Sequence, residues 1–478
     1  YTNKNLKWFF DSWLNDTDLL DYEIYNWSWS KNDQDKWDVV LPIKNKGDRF
    51  LPMLVHTETE DGSVDSLWWW NRKSWFSDTL RYEVEKKPKQ ITIDPFFQTL
   101  DVDFRNNTTK MSNYVSIYWP GIDRYNPRNK NVLLYKPHLY YYEPNNDIAP
   151  GALFKYKYGP YNSLTIRFNY NYNKKEIFYH LDGWFSFVHH FPKTKFKYWT
   201  FDIPGIRELG AEIEKKYNRY YGNSRNNYFL FGLYFQPRYN SARANSMGFT
   251  VDSPNNKLGV SYFGWKTSNR FMKTDLNFSS TLNPYSSWKF SRITFVIKNT
   301  LKKGFFQFSQ RAIAGKIFTN DKGVPGQEGF NLEGNASNQL IQKSYLLDQF
   351  YGLDFLFKNY HLPGEGNIRG FIWNQVPGSE EIIAMTLENS INENFDYLDI
   401  DIQFANFFDI GLLGNDRNNA ETNYNTRFYA DFGFGVRLNK NILGQDYYFR
   451  LDSVLIKRKE NRNYYDKPDW IFSFQRPI

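Results

Sequence analysis

The side chains best placed to do chemistry are one arginine and two acids that follow it along the chain. The tripeptide Arg369-Gly370-Phe371 lies in a long glycine-rich segment, and Glu388 and Asp409 lie in the next two segments of alternating apolar and polar residues. A guanidinium is planar and offers five donors, which suits paired contacts with carboxylates. We therefore predict an internal ion-pair latch made by these residues, and no catalytic group.

The positions of the acids in the two alternating segments decide which way they point. Alternate side chains of a strand face opposite sides, so residues of the same parity (all odd or all even numbers) share a face. Glu388 follows the apolar Leu387, and Asp409 follows Phe408, so both acids are expected on the polar face. Gly366 and the motif glycine would let the arginine segment turn tightly or approach that face closely. The alternative is that these charges are solvated and unpaired.

Strand-like alternation extends over most of the chain. Leu164 and Phe168 share one face of their segment and Thr165 lies on the other, the apolar-out and polar-in pattern of a strand between lipid and a water-filled lumen. About eleven such segments precede the Arg369 motif and about five follow it, a number typical of a mid-size transmembrane barrel.

We therefore predict an all-β fold, with a small β-sandwich followed by a transmembrane antiparallel β-barrel of about 16 strands. The barrel is expected at residues 149–478, with a long inward loop at about residues 318–381. Residues 1–18 read as a short amphipathic helix, 19–108 as a periplasmic β-sandwich and 109–148 as a linker or plug-like segment. The stretch 206–217 contains Glu and Lys and could be either a strand or a helix.

The composition fits a membrane barrel. Aromatic residues make up 20% of the 478 residues, yet the mean hydropathy is −0.68. A barrel combines both properties because only every second residue faces lipid and aromatic girdles line the two interfaces. A soluble all-β protein rich in aromatics is the alternative. The net charge of +8 is spread along the chain, so nucleic acid is not an expected partner. The absence of cysteine excludes disulfides and thiolate metal sites.

The start of the chain carries no export signal. Tyr1-Thr2-Asn3-Lys4 offers no Met, no charged n-region and no apolar h-region. A barrel must be exported, so we expect the chain to be a processed or partial product. No run of about 18 apolar residues is present that would predict a transmembrane helix.

Motifs in the second part of the chain occur in a definite order. They are Ile368-Arg369-Gly370-Phe371, a strand with Glu388, Phe407-Phe408-Asp409-Ile410-Gly411 and Phe432-Gly433-Phe434-Gly435-Val436-Arg437-Leu438. With them, residues 149–478 resemble the bacterial surface-antigen superfamily of outer-membrane assembly factors and two-partner secretion transporters. The resemblance implies that the loop after the eleventh strand reaches into the lumen and that its arginine, Arg369, pairs with Glu388 and Asp409. The chain departs from the family in Ile368, where valine is frequent, and in its unusually long loop.

The front of the chain resembles another family, the region that follows the catalytic domain of zinc aminopeptidases. The matching segments are Phe9-Phe10-Asp11-Ser12-Trp13-Leu14, Leu41-Pro42-Ile43-Lys44-Asn45-Lys46-Gly47, Asp61-Gly62, Ile93-Asp94-Pro95 and Asp103-Phe104-Arg105-Asn106-Asn107. The resemblance implies a β-sandwich behind a catalytic domain. None of the 6 histidines forms an H-E-x-x-H motif, so no metal site or cofactor is expected in this chain. Zinc is expected only in a catalytic domain that would precede Tyr1.

The functional prediction follows from the barrel and its resemblance. The barrel is expected in the bacterial outer membrane with its N-terminal part in the periplasm, where it would insert, thread or anchor polypeptides. The expected partners are outer-membrane lipid, other outer-membrane assembly or secretion proteins, and a polypeptide substrate. A passive anchor for a periplasmic aminopeptidase and a plugged solute channel are the alternatives.

Overall fold

The structure is a computed structural model of the chain. It describes residues 19–47, 49–69, 77–99, 101–118, 127–142, 147–159, 161–173, 175–186, 191, 193–203, 206–218, 226–236, 257–269, 271–320, 324–325, 328–332, 365–366, 368–370, 379–395, 400–414, 426–442, 445–459, 462–464 and 469–475. The helix predicted at residues 1–18 lies outside these ranges. Among the residues described, no helix is long and apolar enough to cross a membrane.

The N-terminal part contains seven strands in two small sheets. The strands are β1 (Tyr22–Ile24), β2 (Ser28–Lys31), β3 (Trp37–Asn45), β4 (Met53–Thr59), β5 (Val64–Trp69), β6 (Ser77–Val84) and β7 (Pro88–Ile93). One sheet has the order β1-β3-β2 with β6 also on β3, and the other has the order β5-β4-β7. The segment 101–107 bonds back to them, since the Ile24 and Ile93 amides donate to the Asn106 and Asn107 carbonyls. We call the two sheets and this segment the N-terminal module.

The two sheets share one apolar core. Val39, Leu41 and Ile43 of β3 alternate with the half-buried Val40 and Pro42 and pack in the same buried cluster as Met53 and Val55 of β4. This period of two is the pattern of a sheet with one buried face. The module therefore has the layered arrangement of a small sandwich.

The remaining strands form the barrel wall. They are β8 (Ser112–Ile117), β9 (Lys130–Tyr142), β10 (Asp147–Tyr158), β11 (Asn162–Asn171), β12 (Glu176–Ser186), β13 (Thr194–Ile203), β14 (Ile206–Asn218), β15 (Asn226–Gln236), β16 (Leu258–Ser268), β17 (Met272–Thr281), β18 (Phe290–Lys303), β19 (Phe306–Thr319), β20 (Glu381–Phe395), β21 (Ile400–Gly414), β22 (Arg427–Ile442), β23 (Gln445–Lys459), β24 (Arg462–Tyr464) and β25 (Asp469–Gln475). Neighbours pair antiparallel from β9 to β23, and β24 and β25 both pair with β23. Because β24 and β25 lie one after the other along β23, the segments from β9 onward count as 16 strands, and the short β8 is added where the barrel closes. The predicted all-β fold with a barrel of about 16 strands is confirmed.

The wall differs from the sequence prediction in two places. The antiparallel part of the wall begins at Lys130 and not at residue 149, because β9 pairs along its length with β10. The prediction of a linker or plug-like segment at 109–148 is therefore wrong for the residues that form β9. The ambiguous stretch 206–217 is strand β14, whose two edges pair with β13 and β15. In both cases neighbouring strands supply backbone partners that local sequence does not reveal.

The barrel closes through a strand from the N-terminal side. Strand β8 lies between the last strand, β25, and the first, β9. It runs parallel to β9, from Ser112 opposite Lys130 to Ile117 opposite Tyr135. Parallel pairing is slightly less stable per residue than antiparallel pairing. The seam therefore contains the one parallel pair among the described strands of the barrel.

The outer face of the wall is apolar. Phe229, Phe231 and Leu233 of β15 are exposed on the outer face, whereas Leu230 is buried towards the lumen. On β20, Ile383 is 62% exposed and its neighbour Ala384 is 3% exposed. An outer band of this kind can be covered only by lipid or another apolar phase, which makes this an outer-membrane-type barrel.

The connections at the two ends of the barrel differ in length. One end carries the loops 237–257, 320–380 and 415–426, and at the other end the longest connections are 187–193 and 219–225. Strand β9 begins and β25 ends at the end with short connections. The N-terminal module touches that end, where the Tyr158 hydroxyl donates to Asp103 at 3.3 Å.

Candidate functional site

The described parts of the loop 320–380 pack inside the barrel. Phe330, Leu332 and Ile368 are fully buried in one apolar cluster with lumen-facing side chains of the wall, among them Ile313 and Leu413. The loop also pairs with itself, since the Ile368 amide donates to the Leu332 carbonyl at 2.9 Å. These described parts of the loop are thus packed in the lumen.

Two wall glycines provide the space for this packing. A Cβ on Gly411 would lie 2.4 Å from Leu332 Cδ2 and 2.8 Å from Ile368 Cδ1. A Cβ on Gly315 would lie 2.4 Å from the Phe330 ring. These approaches are too close for any larger residue, so the inner wall at both positions is shaped to receive the loop.

Arg369 of the loop places a guanidinium group against acids of the wall. Its side chain is 2% exposed, with Nη2 3.0 Å from Glu388 Oε2 and Nε 3.3 Å from Asp409 Oδ2. The guanidinium also stacks over the Phe407 ring at 4.1 Å from its centroid, a favourable contact for a cation. The loop backbone joins in, because the Arg369 amide donates to Asp409 and the Gly370 amide donates to Asp431.

Glu388 is shared by three arginines. Arg437 of β22 forms a two-pronged pair with both of its carboxylate oxygens, in addition to the contact from Arg369. Arg450 of β23 lies 3.5 Å from Oε2 and also donates to Asp452 through Nε. Glu388 is therefore the point at which the loop and two further strands meet.

The acids of the site outnumber its cations. Asp409 and Asp431 stand directly opposite each other on β21 and β22 and are both almost fully buried. Together with Glu388 and Asp452 they make four carboxylates beside three guanidinium groups. Buried charges of this kind are tolerated only when they are paired and hydrogen-bonded. We call these seven side chains, including Arg369, the latch cluster.

The arrangement supports binding and closure better than covalent chemistry. Its carboxylates are engaged by guanidinium or backbone donors, and the cluster is closed to solvent at Arg369, Asp409 and Arg437. Within the described ranges, no three His, Cys, Asp or Glu side chains are placed to hold a metal ion. The physical effect of the cluster is to hold the loop against strands β20 to β23.

Part of the cluster was predictable from sequence patterns. The structure brings Arg369, Gly370, Glu388 and Asp409 together, whereas Phe371 lies outside the described residues. Four members were missed and were open to the same parity argument on later strands: Asp431, Arg437, Arg450 and Asp452. Asp431 and Arg437 alternate with the exposed Phe434 on β22, which is the signal that would have placed them inside.

Comparison with known proteins gives matches of fold only. No protein-family model matches the chain, and no curated protein matches it. Among solved structures, BamA from Haemophilus ducreyi lacking POTRA domains 1–3 is 12% identical, with 73% of this chain and 71% of that chain covered and a TM-score of 0.44. OccK3 (OpdO) from Pseudomonas aeruginosa is 10% identical, with 73% of this chain and 94% of that chain covered and a TM-score of 0.29.

Proposed function

We propose that this chain is an outer-membrane barrel that assists the assembly or export of outer-membrane proteins, with the loop 320–380 as a lumenal plug fixed by the latch cluster. The observation that carries the proposal is the burial of Arg369 between Glu388 and Asp409. It is the pairing that resemblance to the surface-antigen superfamily implies for these positions.

The position of the latch supports this role. Its wall residues lie on β20 to β23, and β23 pairs with the last strand, β25, which borders the seam. The latch cluster therefore stiffens the wall on one side of the seam. The seam itself is closed by the short strand β8, which pairs in parallel with β9. Strand edges are templates for pairing with another chain, so a seam closed by six residues is a suitable place for a client strand to pair.

The connections of the barrel support one orientation. Membrane barrels have short periplasmic turns and longer extracellular loops, which supports a periplasmic position for the N-terminal module, the start of β9 and the end of β25. A client polypeptide would then approach from the side on which β8 joins β9. Val115 and Ile117 of β8 form part of the apolar outer face of the wall. Displacing β8 would therefore interrupt that face and free the edge of β9.

The proposal can be tested by reconstituting the chain in lipid vesicles and adding an unfolded outer-membrane barrel protein. Insertion is followed as protease-protected, heat-modifiable product. We expect faster insertion than into empty vesicles and loss of the acceleration in Arg369→Ala. Arg167→Ala is the matched control, since Arg167 is another wall arginine that pairs with Asp182 at 3.2 Å. Equal insertion into empty and loaded vesicles would refute the proposal.

The anchoring alternative has one supporting contact. Arg105 of the N-terminal module stacks over the Tyr158 ring of β10 at 3.9 Å, so the module is held against the barrel. That it follows a zinc aminopeptidase domain stays a prediction. Zinc content and aminopeptidase activity of a longer precursor, with and without the barrel, would test it.

A further inference from the structure

A row of positive charge crosses the inner wall on the strands that precede those of the latch cluster. Lys273, Lys298 and Arg311 are directly opposite one another on β17, β18 and β19. Their parity is that of Ile313 and Val296, which are buried towards the lumen. Like charges directly opposite on neighbouring strands destabilise a sheet, so the row works against the stability of the empty barrel.

The acids near this charge are fewer than its cations. Lys266 of β16 adds a fourth cation, and Asp275, its cross-strand partner, also interacts with Lys298. Arg311 interacts with Asp275 and with two acids that are already in ion pairs, Glu365 and Asp409. Within the part of the chain that the structure describes, none of the four cations is in an ion pair. Adjacent strands lie about 4.8 Å apart, so the three opposed positions span about 10 Å. We call Lys266, Lys273, Lys298 and Arg311 the basic row.

A cavity of about 650 Å³ adjoins the basic row and is lined by Lys266 and Arg311. Its acids already have partners in the wall or the loop. The pairs are Glu208 with Trp199 and Gln236, Glu212 with Lys197 and Tyr262, Glu328 with Tyr234, and Glu365 with Arg292. Lys266 and Arg311 are the lining cations that are in no ion pair among the described residues. With Lys273 and Lys298 beside them, they make this side of the cavity the one that favours an anionic ligand.

We propose that the basic row and this cavity form a lumenal binding site for a small polyvalent anion with two or more phosphate or carboxylate groups. Several charges are needed because the row presents cations on successive strands over a distance that one oxyanion does not bridge. The volume is that of a small-molecule pocket. Lysine and arginine bind such groups through charge-assisted hydrogen bonds. The site uses none of the seven side chains of the latch cluster, with Arg311 as its nearest cation to Asp409, and it does not depend on the assembly function.

The experiment is a calorimetric titration of the whole chain in non-ionic detergent with inorganic triphosphate at low ionic strength. We expect saturable binding that weakens as salt rises. Removal of one charge-assisted contact costs about 1.5–3 kcal/mol, so Lys298→Met should weaken binding about tenfold or more. Lys298→Arg should retain most of the affinity, because it keeps the charge. Orthophosphate should bind more weakly than triphosphate.

Lys316→Met is the matched control. Lys316 lies on β19 like Arg311 but is paired with Glu381 at 2.8 Å, with both side chains half exposed, and its loss should leave triphosphate binding unchanged. The proposal is overturned if the wild-type chain does not bind triphosphate, or if Lys298→Met and Lys316→Met bind it equally. Binding of a hexaglutamate peptide without binding of triphosphate would also overturn it, in favour of a polypeptide ligand.

Discussion

Glu388 on β20 and Arg437 on β22 form a two-pronged ion pair across the intervening strand β21. The same carboxylate receives Arg369 of the loop at 3.0 Å. Arg437 therefore fixes the acceptor that the loop arginine uses, and the loop is connected to the wall through a residue that is already immobilised. This is the arrangement by which a latch gains rigidity, since its partner does not have to be ordered when the loop docks.

Glu388 should be the most sensitive acid of the latch cluster. Glu388→Gln leaves Arg369, Arg437 and Arg450 without their shared carboxylate, and breaking a buried pair in this way costs about 3–5 kcal/mol. Asp409→Asn should cost less, about 1–2 kcal/mol, because Asn still accepts hydrogen bonds and its loss of charge relieves the opposed Asp431. The measurement is the free energy of unfolding by urea in lipid vesicles.

Glu381→Gln is the control for this comparison. Glu381 lies on the same strand as Glu388, but its pair with Lys316 is exposed, and exposed pairs contribute about 0–1 kcal/mol. If Glu388→Gln were no more destabilising than Glu381→Gln, the role assigned to Glu388 as the central acid of the latch cluster would be wrong.

Gly411 should control whether the loop can seat. Gly411→Val places atoms where Leu332 and Ile368 now lie, at 2.4 and 2.8 Å from the added Cβ, so both side chains must shift and the docked loop is destabilised. We expect a larger single-channel conductance in planar bilayers and faster proteolysis of the loop. Ala314→Val adds similar volume on the outer face of β19, where Ala314 is exposed, and should change neither. An unchanged conductance in Gly411→Val would mean that the loop is not the plug.

The seam should be lockable by a disulfide. Val115 of β8 and Leu133 of β9 are cross-strand partners on the outer side, and the chain has no cysteine of its own. Val115→Cys with Leu133→Cys should form a disulfide on oxidation and slow client insertion in vesicles, and reduction should restore it. Val115→Cys with Leu134→Cys is the control, because Leu134 is buried towards the lumen. Full insertion activity in the locked protein would exclude opening between β8 and β9.

The N-terminal module should lose stability as the pH rises from 5 to 8. Burial, followed by the neighbouring Asp21 carboxylate, raises the pKa of Asp101 to about 7. Its unfolded value is about 3.9, so the folded module binds the proton more tightly. The resulting stabilisation is complete below about pH 4 and is lost as the pH passes through about 7, with about 2–3 kcal/mol lost between pH 5 and 8.

The urea midpoint of the module, followed by pulse proteolysis of the whole chain, measures this loss. Asp21→Asn removes the repelling charge while its side chain can still accept from Asn106, and should flatten the dependence. A wild-type midpoint that rises from pH 5 to pH 8 would contradict the role assigned to Asp101.

Alternation along the chain was sufficient to predict the barrel and the inner position of Glu388 and Asp409. The face to which a strand side chain points is a local property, because it depends only on counting residues by twos. The same count, applied to β22, would have placed Arg437 and Asp431 inside. To predict that Arg369 lies beside these acids, the resemblance of its motif to the surface-antigen superfamily was needed as well.

The meeting of three arginines at Glu388 was decided by the tertiary structure. Arg437 and Arg450 reach one carboxylate because of the register of β20 to β23, which includes an irregularity between Phe432 and Gly433. Register is set by the pairing of distant segments and not by either strand alone. For the same reason β9 escaped prediction and β14 stayed ambiguous. The parallel insertion of β8 at the seam likewise depends on where the first and last strands meet, which no local pattern in the sequence records.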